Sequence, residues 1–300
     1  MSLSLLSNIA ALEGTNNLNS LSARLSSTLQ QLSSGSRINS AADDAAGLSM
    51  VDTMNANVAA LSQSVSNTEE SISMLRVADG ALSQVTSLLN RAVTLATESS
   101  NGTLTSAQNK AADQEYESIL DEINNIGATT TFNQQAVFGR TEGNFTSDGS
   151  AQGSFLDSLT FSPLSSSTVG NQSGTVSYAA PNGSTPGTMS YTAGSTVDLS
   201  STSLTTPTGA QSALTQINSA ISAVSSQDGY VGAQINVLTF QAAVLNTQET
   251  TTLAAANAIE ATNYAQATSQ LAMEQVQMQM AIAAISQANS TNQEVVKLLQ

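Results

Sequence analysis

A seven-residue apolar repeat constrains this chain most. Val51, Val58, Val65 and Ile72 recur at one position of the repeat, and Met54, Leu61, Thr68 and Leu75 hold the matching second position. Such a stripe is narrow, and a helix carrying it gains most of its stability by packing the stripe against a partner helix. The pattern continues less strictly through Leu82, Leu89 and Leu95. It predicts one helix of roughly 50 residues, about 75 Å long at 1.5 Å per residue. Asn101-Gly102-Thr103 ends it, a shorter helix is expected over 106–126 on Tyr116, Ile119, Leu120 and Ile123, and 130–138 reads as a short extended stretch.

Both flanks supply partners. From Leu18 onward, Leu21, Leu25, Leu29 and Leu32 keep a three-or-four spacing that predicts a helix stopping at Ser33-Ser34-Gly35, where glycine takes the left-handed conformation cheaply. A connector follows over 36–47, with Asn39 or Ser40 placed to cap the next helix and Asp43 and Asp44 favourable to its positive end. Near the other end, Leu214, Ile217, Ile221 and Val224 predict a helix that breaks at Asp228-Gly229. It resumes on Ile235, Leu238, Ala242 and Leu245. Leu271, Met278, Ile282 and Ile285 then form a Met- and Ala-rich stripe whose plain reading is packing core.

Between the helical ends the composition changes. In 141–206, Ser, Thr and Gly make up 36 of 66 residues, and the four prolines, Pro163, Pro181, Pro186 and Pro207, lie in this stretch or at its edge. Thr175 to Tyr178 and Met189 to Thr192 alternate polar with apolar residues, and Ala193-Gly194 is placed to turn the second into Thr196 to Leu199. The expected fold is mainly α: a long helical hairpin and coiled-coil bundle made by pairing N- and C-terminal segments, with a small β-rich inserted domain.

Composition narrows the function classes. Only 4% of the 300 residues are aromatic and 10% charged, with 22 acids against 7 bases for a net charge of -15. A phosphate backbone or an anionic bilayer requires clustered cations, and this chain has no Lys or Arg between Arg140 and Lys297. Neither a nucleic-acid partner nor membrane insertion is expected. The start shows neither a basic n-region nor an apolar stretch long enough to span a bilayer, so export would use another route than a cleaved secretory signal.

Chemistry is limited in the same way. With no His and no Cys, Ser-His and Cys-His pairs, histidine metal sites, thiolate metal sites and the HExxH motif are all impossible. The acid pairs Asp43-Asp44, Glu69-Glu70 and Asp121-Glu122 point in different directions on a helix and read as solvated faces or helix N-terminal partners. Asp113, Glu115 and Glu117 lack the glycine and spacing of a calcium loop. The chain is expected to be no enzyme, with no cofactor and no metal. Arg37, the single basic residue of the connector, reads as a helix C-terminal cation or a solvated Arg, or else as a subunit contact, the bidentate partner of a carboxylate such as Asp43 or Asp44.

The stretch from Leu32 to Leu48, LSSGSRINSAADDAAGL, closely resembles the signature of the bacterial flagellins, with Ala42 where that family usually has Lys. Ala78 to Leu82, Asn101 to Thr103, Thr131 to Asn133 and Gly232 to Asn236 resemble family positions in the same order. Ile259 to Ala265 and Gln287 to Leu299 match more loosely, with Ala261 and Asn263 replacing an acidic pair. The resemblance covers 1–140 and 208–300.

What it implies is a subunit of the hollow flagellar filament, secreted and extracellular, which polymerises with itself through open head-to-tail contacts. The implied domains are an inner coiled coil with its spoke connector, 1–48 and 258–300, an outer bundle with a short β-hairpin, 49–140 and 207–257, and a surface-exposed variable domain, 141–206. Self-assembly would rest on Leu21, Leu25, Leu29, Leu32, Arg37, Asn39, Asp43, Asp44, Leu271, Met278, Ile282 and Ile285. The outer seam would use Val51, Met54, Val58, Leu61, Val65, Ile72, Leu75, Ile235, Leu238 and Leu245. Implied partners are the flagellar export apparatus and chaperone, the filament cap and the hook-filament junction proteins. Arg91, Leu95 and Glu115 match a family epitope for an innate immune receptor, whereas Val93, Thr94 and Glu98 depart from it. A junction protein with similar helical ends, or an adhesin or glycan-binding module in 141–206, are the other readings of the same residues.

Overall fold

The structure, a computed structural model, describes residues 8–139, 141–142, 159–160, 163–169, 173–178, 187–192 and 197–298. Five helices dominate: α1 (Ile9–Ser34), α2 (Ala45–Ser100), α3 (Ser106–Thr129), α4 (Pro207–Glu260) and α5 (Tyr264–Leu298). Between α3 and α4 lie β1 (Thr131–Phe132), β2 (Gln135–Ala136), β3 (Thr141–Glu142), β4 (Leu159–Thr160), β5 (Ser173–Tyr178) and β6 (Gly187–Thr192). The strands pair antiparallel as β1 with β2, β3 with β4 and β5 with β6. The chain forms two compact units, Met1–Ala56 with Thr252–Gln300, and Asn57–Thr251.

In the first unit α1 and α5 run antiparallel, each contributing an apolar seam at alternating spacings of three and four. On α1 the shielded positions are Ala11, Gly14, Leu18, Leu21, Leu25, Thr28 and Leu32; on α5 they are Ala267, Leu271, Glu274, Met278, Ala281, Ile285 and Ala288. This is the a/d geometry of a two-stranded coiled coil. The side chain of Asn8 caps α1, accepting from Ala11 N at 3.1 Å, and donates to Ala288 O at 3.3 Å, which ties the two helix ends together. α1 starts nine residues before Leu18, because Ala11 and Gly14 extend a seam that is too small-sided to show as hydrophobic periodicity.

Gly35 ends α1 at φ 74, and its N–H donates to Gln31 O at 3.0 Å, the left-handed cap expected from the sequence. Asn39 and Ser40 do not cap α2. The cap is Asp44, whose Oδ1 accepts from Gly47 N at 2.8 Å, because α2 begins only at Ala45.

In the second unit one core spans three helices. Leu75, Ala78, Leu82, Val85, Leu89 and Ala92 of α2 pack with Tyr116 and Ile123 of α3 and with Ala210, Ala213, Ile217, Ala220, Val224 and Val231 of α4, all fully shielded. A reciprocal capping box starts α3: Thr105 accepts from Gln108 N, and Gln108 Oε1 accepts from Thr105 N at 2.8 Å. The 130–138 stretch folds as the β1–β2 hairpin, with Asn133 and Gln134 both at positive φ as a tight turn demands.

Two expectations are corrected here. α4 does not break at Asp228-Gly229; it is continuous for 54 residues, because the roughly 1 kcal/mol helix cost of Gly229 is outweighed by burying Val224, Gln227, Tyr230 and Val231 around it. The strand expected at Thr196 to Leu199 is a single bridge between Val197 and Val169, and the Ala193-Gly194 turn lies outside the described residues. The β5–β6 pair does form, with Thr175 opposite Ser190 and Val176 opposite Met189. Leu164, Val169, Leu199 and Leu204, all from 141–206, belong to the core of the second unit.

Candidate assembly interface

The connector between α1 and α2 is built from local hydrogen bonds. One oxygen of Asp43, Oδ2, accepts from Asn39 N at 3.1 Å, Ser40 N at 2.9 Å and Ser40 Oγ at 3.0 Å. These donors favour the ionised form, and the Ser40 hydroxyl first and the two amides after it hold the carboxyl below its ordinary value. Asn39 Nδ2 donates to Ser36 O at 2.9 Å, and Ile38 is the buried apolar anchor of the loop. Both acids are thus committed locally, Asp43 to the loop and Asp44 to the helix cap.

Arg37 consequently pairs with neither. Its Nη2 donates to Ile259 O at 2.6 Å and its backbone N–H to Glu260 O at 2.6 Å. These carbonyls end α4, so the guanidinium sits at the negative pole of that helix, the helix-end role rather than the bidentate carboxylate contact. Ser36 Oγ donates to Glu260 Oε1 at 3.2 Å, and Thr262 N donates to Gly35 O at 3.0 Å. A Cβ at Gly35 would also stand 2.7 Å from the hydroxyl of Tyr264. The loop after α1 is therefore clasped to the junction of α4 and α5.

The apolar residues of α1 and α5 are either shielded in the seam or exposed outside it. Leu21 is buried in the seam, with Leu25, Leu32, Leu271, Met278 and Ile285 half-buried beside it. Leu29 and Ile282 face away from the seam at 48% and 55% exposure, because the alternating three-four register gives the seam places to Thr28 and Ala281. With them on the outside stand Ile9, Leu12, Met273, Val276 and Met280. Of the outer-seam candidates, Val51, Leu61, Ile72, Leu75, Leu238 and Leu245 are buried, while Met54, Val58, Val65 and Ile235 are half-buried. Val51 and Met54 belong to the first unit and the others to the second.

Arg91 forms a surface ion pair with Glu115 at 2.7 Å, but Leu95 is 3% exposed and lies in the core, so the three residues do not share a surface. Asp113, weighed from the sequence only as a calcium ligand, has a fastening role that the sequence did not show. Its Oδ1 accepts from Leu204 N at 2.6 Å and Ser203 Oγ at 3.0 Å, fastening the segment before α4 to α3, and Tyr116 adds a hydroxyl contact with Thr202 at 2.6 Å. Burial pushes the Tyr116 phenol up from its ordinary value. Among the described residues no group of three or more acidic side chains is arranged to hold a metal, and no helix is long and apolar enough to cross a membrane.

The arrangement among the described residues offers packing surfaces. The model of the bacterial flagellin N-terminal helical region matches residues 5–142, and that of the C-terminal helical region matches 214–299. A flagellin of Halalkalibacterium halodurans is 30% identical over 272 residues, 91% of this chain and 90% of the relative. A flagellin of Listeria innocua is 29% identical over 293 residues, 97% of this chain and 98% of the relative. The crystal structure of Bacillus cereus flagellin is 26% identical, covering 61% of this chain and 88% of that one at a TM-score of 0.39. With both helical regions matched and a relative aligned over nine-tenths of its length, the chain belongs to the bacterial flagellin family, the structural subunits of the flagellar filament.

Proposed function

We propose that this chain polymerises with copies of itself through the outward faces of α1 and α5, and that pairing of these helices is completed only in the polymer. The observation that carries this is the set of apolar side chains left exposed outside the seam. Leu12, Met273, Val276, Met280 and Ile282 are each more than half exposed, on helices whose other face is already used. Burying a side chain of this size contributes about 1.5–3 kcal/mol, so a neighbouring copy that covers several of them supplies what a two-helix pair lacks. Only 10% of the chain is charged, which keeps the desolvation cost of such contacts low.

In this reading 1–48 and 258–300 form the inner layer, 49–140 and 207–257 the outer layer, and 141–206 the outer surface. Contacts that repeat head to tail without closing give an open helical filament outside the cell. The export apparatus and its chaperone, the cap and the junction proteins are the partners such a subunit requires. The test is seeded growth of purified chains followed by electron microscopy. The intact chain extends filament seeds, and a chain lacking 1–34 and 265–300 does not. Equal growth by the shortened chain refutes the reading, and short stubs from the intact chain point to a junction protein instead.

A further inference from the structure

The seam between α1 and α5 contains a buried acid. Leu21, Leu25, Leu271, Met278 and Ile285 make the seam apolar and Thr28 adds a hydroxyl, whereas Glu274 is 5% exposed among them. Its Oε2 is closed to solvent and accepts no hydrogen bond. The register of the pair is fixed near both ends: a Cβ on Gly14 would stand 2.7 Å from Ile285 Cγ1, and one on Gly35 2.7 Å from the Tyr264 hydroxyl. Counting inward from either contact brings Leu25 level with Glu274. An inward position of a coiled coil takes an apolar side chain, and a polar one there specifies pairing at a cost in stability.

Among the described residues no cation compensates it. Arg24, the one base on α1, is exposed and donates from Nη2 to Ser20 Oγ at 3.3 Å. Arg37 is held at the carbonyl end of α4. Lys297 lies 23 residues further along α5, about 35 Å away at 1.5 Å per residue. The ion pair of Arg91 with Glu115 belongs to the other unit. A carboxylate taken out of water without a partner opposes the burial that its apolar neighbours gain, so this seam closes less readily than its Leu, Met and Ile content alone would allow.

We propose that Glu274 is a brake on the pairing of α1 with α5. Its unpaired carboxylate weights the free subunit toward open terminal helices. They commit to each other when neighbouring copies add the burial of Leu12, Met273, Val276, Met280 and Ile282, which presupposes polymerisation through those side chains. Premature closure of the pair is thereby disfavoured without weakening the second unit, since Glu274 lies outside residues 57–251.

The test is amide hydrogen exchange in the free, full-length subunit, read at Leu21, Leu25, Leu271 and Met278. Helices of this kind owe most of their stability to packing, so these amides report opening of the pair. Glu274→Leu puts an apolar side chain in the same place and is expected to raise their protection at least about fivefold. Glu274→Gln, which keeps the shape and loses the charge, should gain less, and Glu13→Leu, at an exposed acid of α1, should gain nothing. The critical concentration for seeded growth should fall in the same order. Protection in Glu274→Leu no higher than in the parent, or an equal gain in Glu13→Leu, overturns the proposal. Raised protection with an unchanged critical concentration upholds the brake on pairing and refutes the assembly reading instead.

Discussion

Gly14 is the position at which the pairing of α1 and α5 is most easily broken without touching the second unit. A Cβ placed there would stand 2.7 Å from Ile285 Cγ1 and 3.5 Å from its Cδ1. Ile285 is β-branched and stiff at χ1, so it yields by moving its helix rather than by rotating. Gly14→Val adds three carbons to this contact. Overpacking of this kind costs about 1–3 kcal/mol, and replacing a helical glycine by valine returns about 0.3–0.5 kcal/mol, leaving a net loss of about 0.5–2.7 kcal/mol. At 1.4 kcal/mol per factor of ten, the critical concentration for seeded growth rises about 2- to 80-fold. The melting temperature of residues 57–251 stays where it was, because Gly14 lies in the other unit. Gly14→Ala separates crowding from propensity: alanine is the better helix former by about 1 kcal/mol, so a chain that still assembles less readily than the parent shows that the contact dominates. Growth of Gly14→Val at the parent's critical concentration refutes the reasoning.

Other expectations follow from single contacts. Leu89→Ala empties a fully shielded place in the core, costs about 2–5 kcal/mol and lowers the melting of the second unit by roughly 5–15 °C in a calorimetric scan. Asp113→Ala leaves the buried Leu204 N–H without its acceptor and costs about 1.5–3 kcal/mol, while Asp113→Asn, which keeps one acceptor, loses less in the same denaturation series. Gly35→Ala forces a side chain into a left-handed residue and against Tyr264; about 1–2 kcal/mol of backbone strain should appear as faster amide exchange at Thr262, whose N–H bonds Gly35 O. Since Asp43 is held below 3.8, its hold on the connector is fully present above about pH 4 and is lost as pH falls through the depressed value. The Asn39 and Ser40 amide resonances should move together over that interval, and in Asp43→Asn they should not.

The helical ends were legible because Leu, Val and Ile mark their seams: α2 carries the predicted repeat over its length, and Gly35 stops α1 where the sequence places it. Thr28 was not legible as a seam residue. The choice between Leu29 and Thr28 depends on the strict three-four alternation set by α5, and hydrophobicity alone favours the wrong one. Asp228-Gly229 has the composition of a turn, but tertiary burial of Tyr230 and Val231 overrides it. The low-aromatic, hydroxyl-rich insert gave no sign that Leu164, Val169 and Leu199 join the helical core, since the residues they cluster with lie on helices distant in sequence. Arg37 and Asp113 show the same limit: the carbonyls and amides they bind are more than 90 residues distant, although each residue's chemistry, a fork of donors and a carboxylate acceptor, was evident.

The central claim, that the outward faces of α1 and α5 are covered by neighbouring copies, is tested most directly by their accessibility before and after assembly. The chain contains no cysteine, so Met280→Cys introduces a single thiol at a side chain that is 67% exposed. Its rate of alkylation is predicted to be that of an open thiol in the free subunit and at least about tenfold lower in filaments, in line with a site closed by about 1.4 kcal/mol or more. Equal rates in subunit and filament would contradict the account.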